Sequence, residues 1–464
     1  MKRLNGFELL ALGFMTFALF LGAGNIIFPV LIGMQAGEYT LVAGLGFLIT
    51  GVSLPLLTVV ALARVGGGLT TLTSPLGKTV GLVFAISVYL SIGPLFATPR
   101  TANASFVIGI TPFFEYLPFV DAAQLADKTY KDNVANWTLW IYSTIYFLIV
   151  LYLVLSPGKI IDRLGKIITP VLLLGLIVLG CAAVFAPAGP IGPVSDEFSK
   201  LPMLGGFLNG YLTMDALGAL VYGLVIANAI RSKGVNDKKL ITRYSIYAGI
   251  IAAIGLSLVY LTLIYLGAGS YSIASGVSNG GDILALYVNH TFGYYGNFLL
   301  ALVMVLACLT TAVGLITACG EFFNDVTGIP YTIIAIAFTL FSWLVSNVGL
   351  EQLLSFSAPV LTGLYPLAIV ITLLALADGV WNYRPLIYIP TLFVTLLFGI
   401  VDGLNAAGLN DYVPRMFDGI FAAEVKMGWL LPVCYTVLAA FILDRYAPRA
   451  IDYVVQQANK SSKE

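Results

Sequence analysis

Twelve stretches of this 464-residue chain run without Asp, Glu, Lys or Arg, apart from one acid in the sixth. They cover residues 9–37, 39–63, 79–99, 133–158, 167–195, 201–230, 244–281, 283–320, 326–350, 352–377, 385–401 and 427–443. Crossing the hydrocarbon of a bilayer takes about 17 to 25 apolar residues in a helix. Lipid cannot bond exposed backbone groups, so such segments fold as helices that satisfy their own N–H and C=O groups. Only 10% of the residues are charged, where a soluble domain carries about a quarter. The expectation is an all-α polytopic membrane protein, twelve transmembrane helices in one domain over residues 1–464 with no soluble part.

Charge placement gives the orientation. With loops alternating across the membrane, Lys2, Arg3, Arg64, Lys78, Lys159, Arg163, Lys166, Arg231, Lys233, Lys238, Lys239, Arg243, Arg384, Arg445, Arg449, Lys460 and Lys463 share the side of the N-terminus. Arg100, Lys128, Lys131, Lys200, Arg415 and Lys426 fall on the other, a split of 17 to 6. Basic residues gather on the cytoplasmic side, so both termini are expected there, in the cytoplasmic (inner) membrane. One loop, 321–330, should be cytoplasmic yet lacks Lys and Arg. Met1-Lys2-Arg3 could open a signal peptide, but the apolar run behind it is too long and lacks a cleavage site, so a retained helix is expected. Net charge is zero, so nothing points to nucleic acid, and no segment marks an obligate protein partner. Cys181, Cys308, Cys319 and Cys434 lie inside expected spans without metal-ligand spacing and read as core residues. The single His290 falls in an expected outer loop. Little is left from which to build an enzyme.

The acid inside the sixth stretch is Asp215. An acid at bilayer depth is costly, so it faces a partner or a water-filled cavity and marks a pathway. Thr213 and Asp215 are good caps for a helix restarting near Ala216. As a mere cap, Ser or Asn would be cheaper; a functional acid would meet a substrate ammonium or line a coupling-ion path. The first stretch is interrupted at Gly22-Ala23-Gly24-Asn25. Unwinding there would expose carbonyls to a cation and N–H groups to a carboxylate; a small-residue packing face is the competing reading. Interrupted helices at corresponding places in two halves are the sequence mark of a transporter site. Breaks in spans one and six imply a five-helix unit. Five is odd, so the second unit enters from the opposite face. That gives an inverted five-plus-five repeat, about 6–186 and 201–377, with appended helices at about 385–446.

Other positions qualify this picture. Ala307, Thr310 and Thr311 share a helix face by their i, i+3, i+4 spacing; they could offer oxygens to sodium, or the hydroxyls could bond back to the helix. Gly93 to Thr101 contains two prolines, which break or kink span three. Arg100 there could snorkel to the interface or gate an outer vestibule by pairing with an acid. Residues 267–291 could form short helices covering the site, or a flexible Ser/Gly loop.

Over nearly its whole length the chain resembles the bacterial branched-chain amino acid:cation symporters, the BrnQ-type carriers of leucine, isoleucine and valine. The residues that carry the resemblance are Ala11 to Phe20 running into Gly22-Ala23-Gly24-Asn25-Ile26-Ile27-Phe28-Pro29, Gly93 to Thr101, Asn209 to Asp215, and Leu309 to Leu315. The resemblance implies the five-plus-five fold of the sodium-coupled leucine and neurotransmitter symporters, whose first-helix motif matches Gly22, Gly24, Asn25, Phe28 and Pro29. It implies a sodium ion as coupling ion, held by the carbonyls of Ala18 and Leu21 with Ala307, Thr310 and Thr311. A second sodium site would use the Phe20 carbonyl, Asn25 and Thr213. Asp215 departs from that distant pattern, where serine is usual, so the acid would bind the substrate ammonium or replace an ion.

The expected function is thus symport of leucine, isoleucine or valine with sodium by alternating access, with no prosthetic group. The substrate carboxylate would meet the N–H groups of Gly22, Ala23, Gly24 and Asn25. Its ammonium would meet the carbonyls around Thr213 with Asp215 nearby, and Leu212, Met214 and Ala219 would form the apolar wall. The rival expectation is a proton-coupled amino-acid carrier on the same fold, with Asp215 titrating.

Overall fold

In the computed structural model, residues 3–125, 127–155, 173–414 and 427–446 are described. Lys2, Lys159, Arg163, Lys166, Arg415, Lys426, Arg449, Lys460 and Lys463 lie outside them, as do residues 167–172 of the fifth stretch. Among the described residues every regular element is helical. The first stretch is two helices, α1 (Gly6–Phe20) and α2 (Gly24–Ala36). Asn5 caps α1 by accepting from Glu8 N at 2.7 Å while Glu8 accepts from Asn5 N at 2.9 Å, which fixes where the helix begins. The second stretch is α3 (Thr40–Leu48) and α4 (Leu54–Val65) around a π-turn at Ile49–Ser53. The third is α5 (Lys78–Leu90) and α6 (Ala97–Gly109), joined through Ser91–Leu95, where Gly93 leaves helical dihedrals beside Pro94.

Next come α7 (Lys128–Leu155) and α8 (Leu173–Phe185). The sixth stretch is divided like the first, into α9 (Pro202–Asn209) and α10 (Asp215–Ser232). The chain continues as α11 (Lys238–Ala268), α12 (Gly280–Thr327), α13 (Tyr331–Ser346), α14 (Leu350–Leu376), α15 (Arg384–Ala406) and α16 (Leu430–Tyr446). Among the described residues, eight helical runs are long and apolar enough to cross a membrane. The short helix Tyr271–Ala274 and the start of α12 occupy the 267–291 segment.

Lipid tails are as apolar as leucine, so helix association in a membrane rests on close van der Waals contact. Glycine supplies it at two crossings. Where α2 meets α11, a Cβ on Gly33 would strike the Ile264 carbonyl, and one on Gly267 would strike that of Val30. Where α3 meets α9, Gly46 faces the Met203 carbonyl and Gly206 that of Ala43. The broken first segment is thereby locked to α11 and the broken sixth segment to the second.

Two sequence expectations are corrected. His290 is not in a loop: α12 runs through it, and Gly293, at φ 65° and ψ −159°, bends the helix just beyond. Cys308 and Cys319 are buried, but Cys181 and Cys434 are exposed rather than core. A thiol is apolar enough to face lipid as readily as protein, so its position on an apolar helix does not fix the face it occupies.

Candidate functional site

The first break is built from one side chain. Leu21 closes α1 through Leu21 N to Phe17 O at 2.9 Å, then turns out of the helix at φ −73° and ψ 88°. The Gly22 N–H, which would otherwise be orphaned, donates to Asn25 Oδ1 at 3.0 Å. Chain direction is recovered when Asn25 N bonds Gly22 O at 3.2 Å and α2 begins.

The second break is sharper. After α9 the chain tightens into a 3₁₀ turn over Gly210–Thr213 and then flips at Met214, φ 66° and ψ 13°. Met214 is the one non-glycine residue with positive φ among the described residues. Left-handed backbone costs an L-residue about 1 to 2 kcal/mol, and such strain gathers where the surroundings over-determine it, often at functional sites. Met214 occupies the cap position of α10 with no side-chain bond, and the Thr213 hydroxyl, which donates to Gly210 O at 2.8 Å, accepts from Asp215 N at 3.4 Å.

That frees the carboxylate of Asp215. It is 4% exposed, and its Oδ2 accepts from Asn25 Nδ2 at 2.6 Å and from the Tyr260 hydroxyl at 2.8 Å. Asn25 and Tyr260 also touch each other. One acid therefore joins the start of α2, the start of α10 and the middle of α11.

Arg100 does neither of the things its sequence position suggested. It is 5% exposed, so it does not snorkel. It is not ion-paired either: among the described residues the one ion pair joins Arg384 and Asp378. Its guanidinium donates to the Leu212 carbonyl at 2.5 Å and the Thr213 carbonyl at 3.3 Å, and lies 5.6 Å from the Phe28 ring centroid. Those are the carbonyls that the break in the sixth segment deprives of helical donors. The unwinding itself creates the need that Arg100 meets.

These groups surround a cavity of about 40 Å³. Phe20, Gly22, Ala23, Gly24, Asn25, Thr213, Met214, Asp215 and Thr311 line it. Ala18, Leu21, Leu212, Ala219, Ala307 and Thr310 do not. Leu212 contributes its carbonyl to Arg100 instead, and Ala219 is fully buried deeper in α10. Thr310 and Thr311 both donate to the Ala307 carbonyl, at 2.8 and 3.0 Å. Each hydroxyl keeps its lone pairs free for another partner. With Arg100, residues Leu19, Ile92, Ala97, Thr101, Gly218, Tyr222 and Leu315 complete the lining. Ala97, Arg100 and Thr101 fall in the marked Gly93–Thr101 stretch, but the others carry no local signal; the crossing of α1, the bent third segment, α10 and α12 brings them together.

The chain matches the branched-chain amino acid transport protein family model over residues 5–447. It belongs to that family. The branched-chain amino acid transport system 2 carrier protein of Pseudomonas aeruginosa is 58% identical over 96% of this chain and 98% of its own. The permease BrnQ of Salmonella typhimurium is 46% identical, covering 96% and 97%, and the permease BraB of Bacillus subtilis 39%, covering 94% and 95%. This family member is thus a multi-pass membrane transporter and not an enzyme. Among solved structures, MhsT in complex with L-phenylalanine aligns with TM-score 0.53 at 14% identity over 93% of this chain and 98% of that one. A mutant manganese transporter of Eremococcus coleocola aligns with TM-score 0.56 at 15% identity over 96% and 97%. At such identities the likeness is one of fold: the carrier has the helical architecture of those transporters.

Proposed function

We propose that this carrier moves leucine, isoleucine and valine across the cytoplasmic membrane together with sodium, by alternating access. The observation that carries the reading is the acid that ties both broken helices to one cavity, Asp215 with Asn25 and Tyr260. Gly22 and Asn25 spend their N–H groups within the break, so those of Ala23 and Gly24 at the start of α2 suit a carboxylate, and the carbonyls and acid at the start of α10 suit an ammonium. The relatives' names supply the side-chain class. One methylene changes binding by only about 1 to 3 kcal/mol, so preference among the three substrates is modest.

In this reading the chain crosses the membrane twelve times, both termini are cytoplasmic, and residues about 6–186 and 201–377 form an inverted five-plus-five repeat with the last helices appended. The paired crossings, α2 on α11 and α3 on α9, support it, because an inverted repeat exchanges segment one with six and segment two with seven. Sodium would sit between the carbonyls of Ala18 and Leu21 and the Ala307, Thr310 and Thr311 oxygens. A methyl carbon of Thr311 comes within 3.6 Å of a Cβ built on Gly22, so α12 and the first break abut there. Phe20, Asn25 and Thr213 would serve a second ion.

A proton-coupled carrier is the second reading, favoured by an ionisable carboxyl buried inside the cavity itself. Uptake of labelled leucine into proteoliposomes, with sodium and pH gradients imposed separately, decides between them. Accumulation that follows sodium at constant pH supports sodium symport. Accumulation that follows pH without sodium transfers the coupling role to Asp215, and accumulation of neither kind overturns both.

A further inference from the structure

Arg100 is a buried cation whose hydrogen-bond partners, among the described residues, are two backbone carbonyls, Leu212 and Thr213. It is also pressed against the other break: a Cβ built on Gly24 would lie 3.0 Å from the Arg100 Nη2. The guanidinium thus spans the space between the N–H groups of the first break and the carbonyls of the second, inside the cavity. Burial of a cation costs several kcal/mol unless charge or well-placed dipoles compensate it. Two carbonyl dipoles, the Phe28 face and the charge of nearby Asp215, which does not bond it, supply partial compensation; a carboxylate in contact would supply more, through the paired bonds that guanidinium forms with planar anions.

We propose that Arg100 is the substrate-carboxylate clamp of this carrier and works by partner exchange. In the substrate-free cavity it holds the Leu212 and Thr213 carbonyls. An arriving α-amino acid offers its carboxylate to the guanidinium at Gly24 and its ammonium to the carbonyls that Arg100 releases, with Asp215 alongside. Each half of the zwitterion replaces what the other displaces. Cation replaces cation at the carbonyls, so no buried dipole is left unpaired at the end. An amine without a carboxylate would strand the guanidinium; a 2-oxo acid without an ammonium would strand the carbonyls. The exchange therefore selects intact α-amino acids, whatever their coupling ion. It rests on the reading that the cavity between the two breaks is the substrate site.

The test compares leucine with leucinol, which keeps the ammonium and side chain but lacks the carboxylate. Binding of each is measured on purified wild-type, Arg100→Ala and Arg100→Lys carrier at fixed sodium and pH. Wild type should prefer leucine by roughly 100-fold or more, the scale on which sites built for a polar group reject an analogue lacking it. In Arg100→Ala the two ligands should bind within about threefold of each other, a free-energy gap under about 1 kcal/mol, and Arg100→Lys should regain part of the preference. A structural role would weaken both ligands alike and leave the ratio untouched, which overturns the clamp. Failure of both variants to fold also overturns it, since a residue that lets go of the carbonyls in every cycle cannot be indispensable to the fold. Wild type that binds no leucine at all would instead remove the underlying reading.

Discussion

Replacing Asp215 by asparagine separates charge from shape at the point where the two breaks meet. Oδ2 of the acid accepts from Asn25 at 2.6 Å and from Tyr260 at 2.8 Å. An asparagine oxygen in the same place still accepts both. Hydrogen bonds to a charged group contribute about 1.5 to 3 kcal/mol and neutral ones about 0.5 to 1.5, so the fold loses roughly 2 kcal/mol over two bonds. The carrier should therefore still insert and fold. A substrate ammonium or coupling cation beside position 215 loses a charged partner, about 1.5 to 3 kcal/mol, or roughly 10- to 100-fold in affinity. Asp215→Ala goes further, leaving two buried donors without an acceptor at about 1 to 3 kcal/mol each. The assay is labelled-leucine binding and uptake in proteoliposomes, with thermal unfolding of the same preparations alongside. Asp215→Asn should melt within several degrees of wild type and bind at least about tenfold more weakly; Asp215→Ala should melt clearly lower. Wild-type affinity and ion dependence in Asp215→Asn would refute the assignment of this acid to the site.

Other substitutions read separate parts of the account. Thr311→Ala removes a cavity-lining hydroxyl and should raise the sodium concentration for half-maximal leucine uptake; an unshifted sodium curve rejects the sodium assignment. Tyr260→Phe takes one donor from Asp215 and should reduce leucine uptake about tenfold, the loss of one charge-assisted bond, with the melting point little changed. Gly206→Ala pushes a Cβ into the Ala43 carbonyl, which costs about 1 to 3 kcal/mol of overpacking. Thermal unfolding should show the loss, and an unchanged transition would contradict the tight α3–α9 crossing.

Much of this was legible before any coordinates, for definite physical reasons. Helix positions follow from charge-free length, because lipid penalises every exposed polar group, and described helices lie in all twelve stretches. The break before Asp215 was marked by a buried acid, which membrane helices rarely hold at mid-depth; the one at Gly22 was marked by paired glycines, which a packing face would also explain. Partners were not legible. Nothing near Asp215 in sequence points to Tyr260, 45 residues on. Two fates were open to Arg100 on local grounds, and it takes a third because the carbonyls of Leu212 and Thr213 are freed by a break over 100 residues away. Leu212 and Ala219 do not line the cavity for separate reasons: Leu212 offers its carbonyl to Arg100, and α10 restarts with Asp215, Gly218 and Tyr222 on the cavity face, which leaves Ala219 beside it. Exposed Cys181 and Cys434 show the limit of reading burial from an apolar span, where both faces are apolar and only packing separates lipid from core.

An experimental structure of the carrier with leucine and sodium bound decides whether the two breaks form the substrate site. Leucine should lie between the two breaks, its carboxylate against residues 22–25 and its ammonium against the carbonyls of Leu212 and Thr213 beside Asp215. Leucine lodged elsewhere, or helical hydrogen bonding that runs unbroken through both segments, would contradict it.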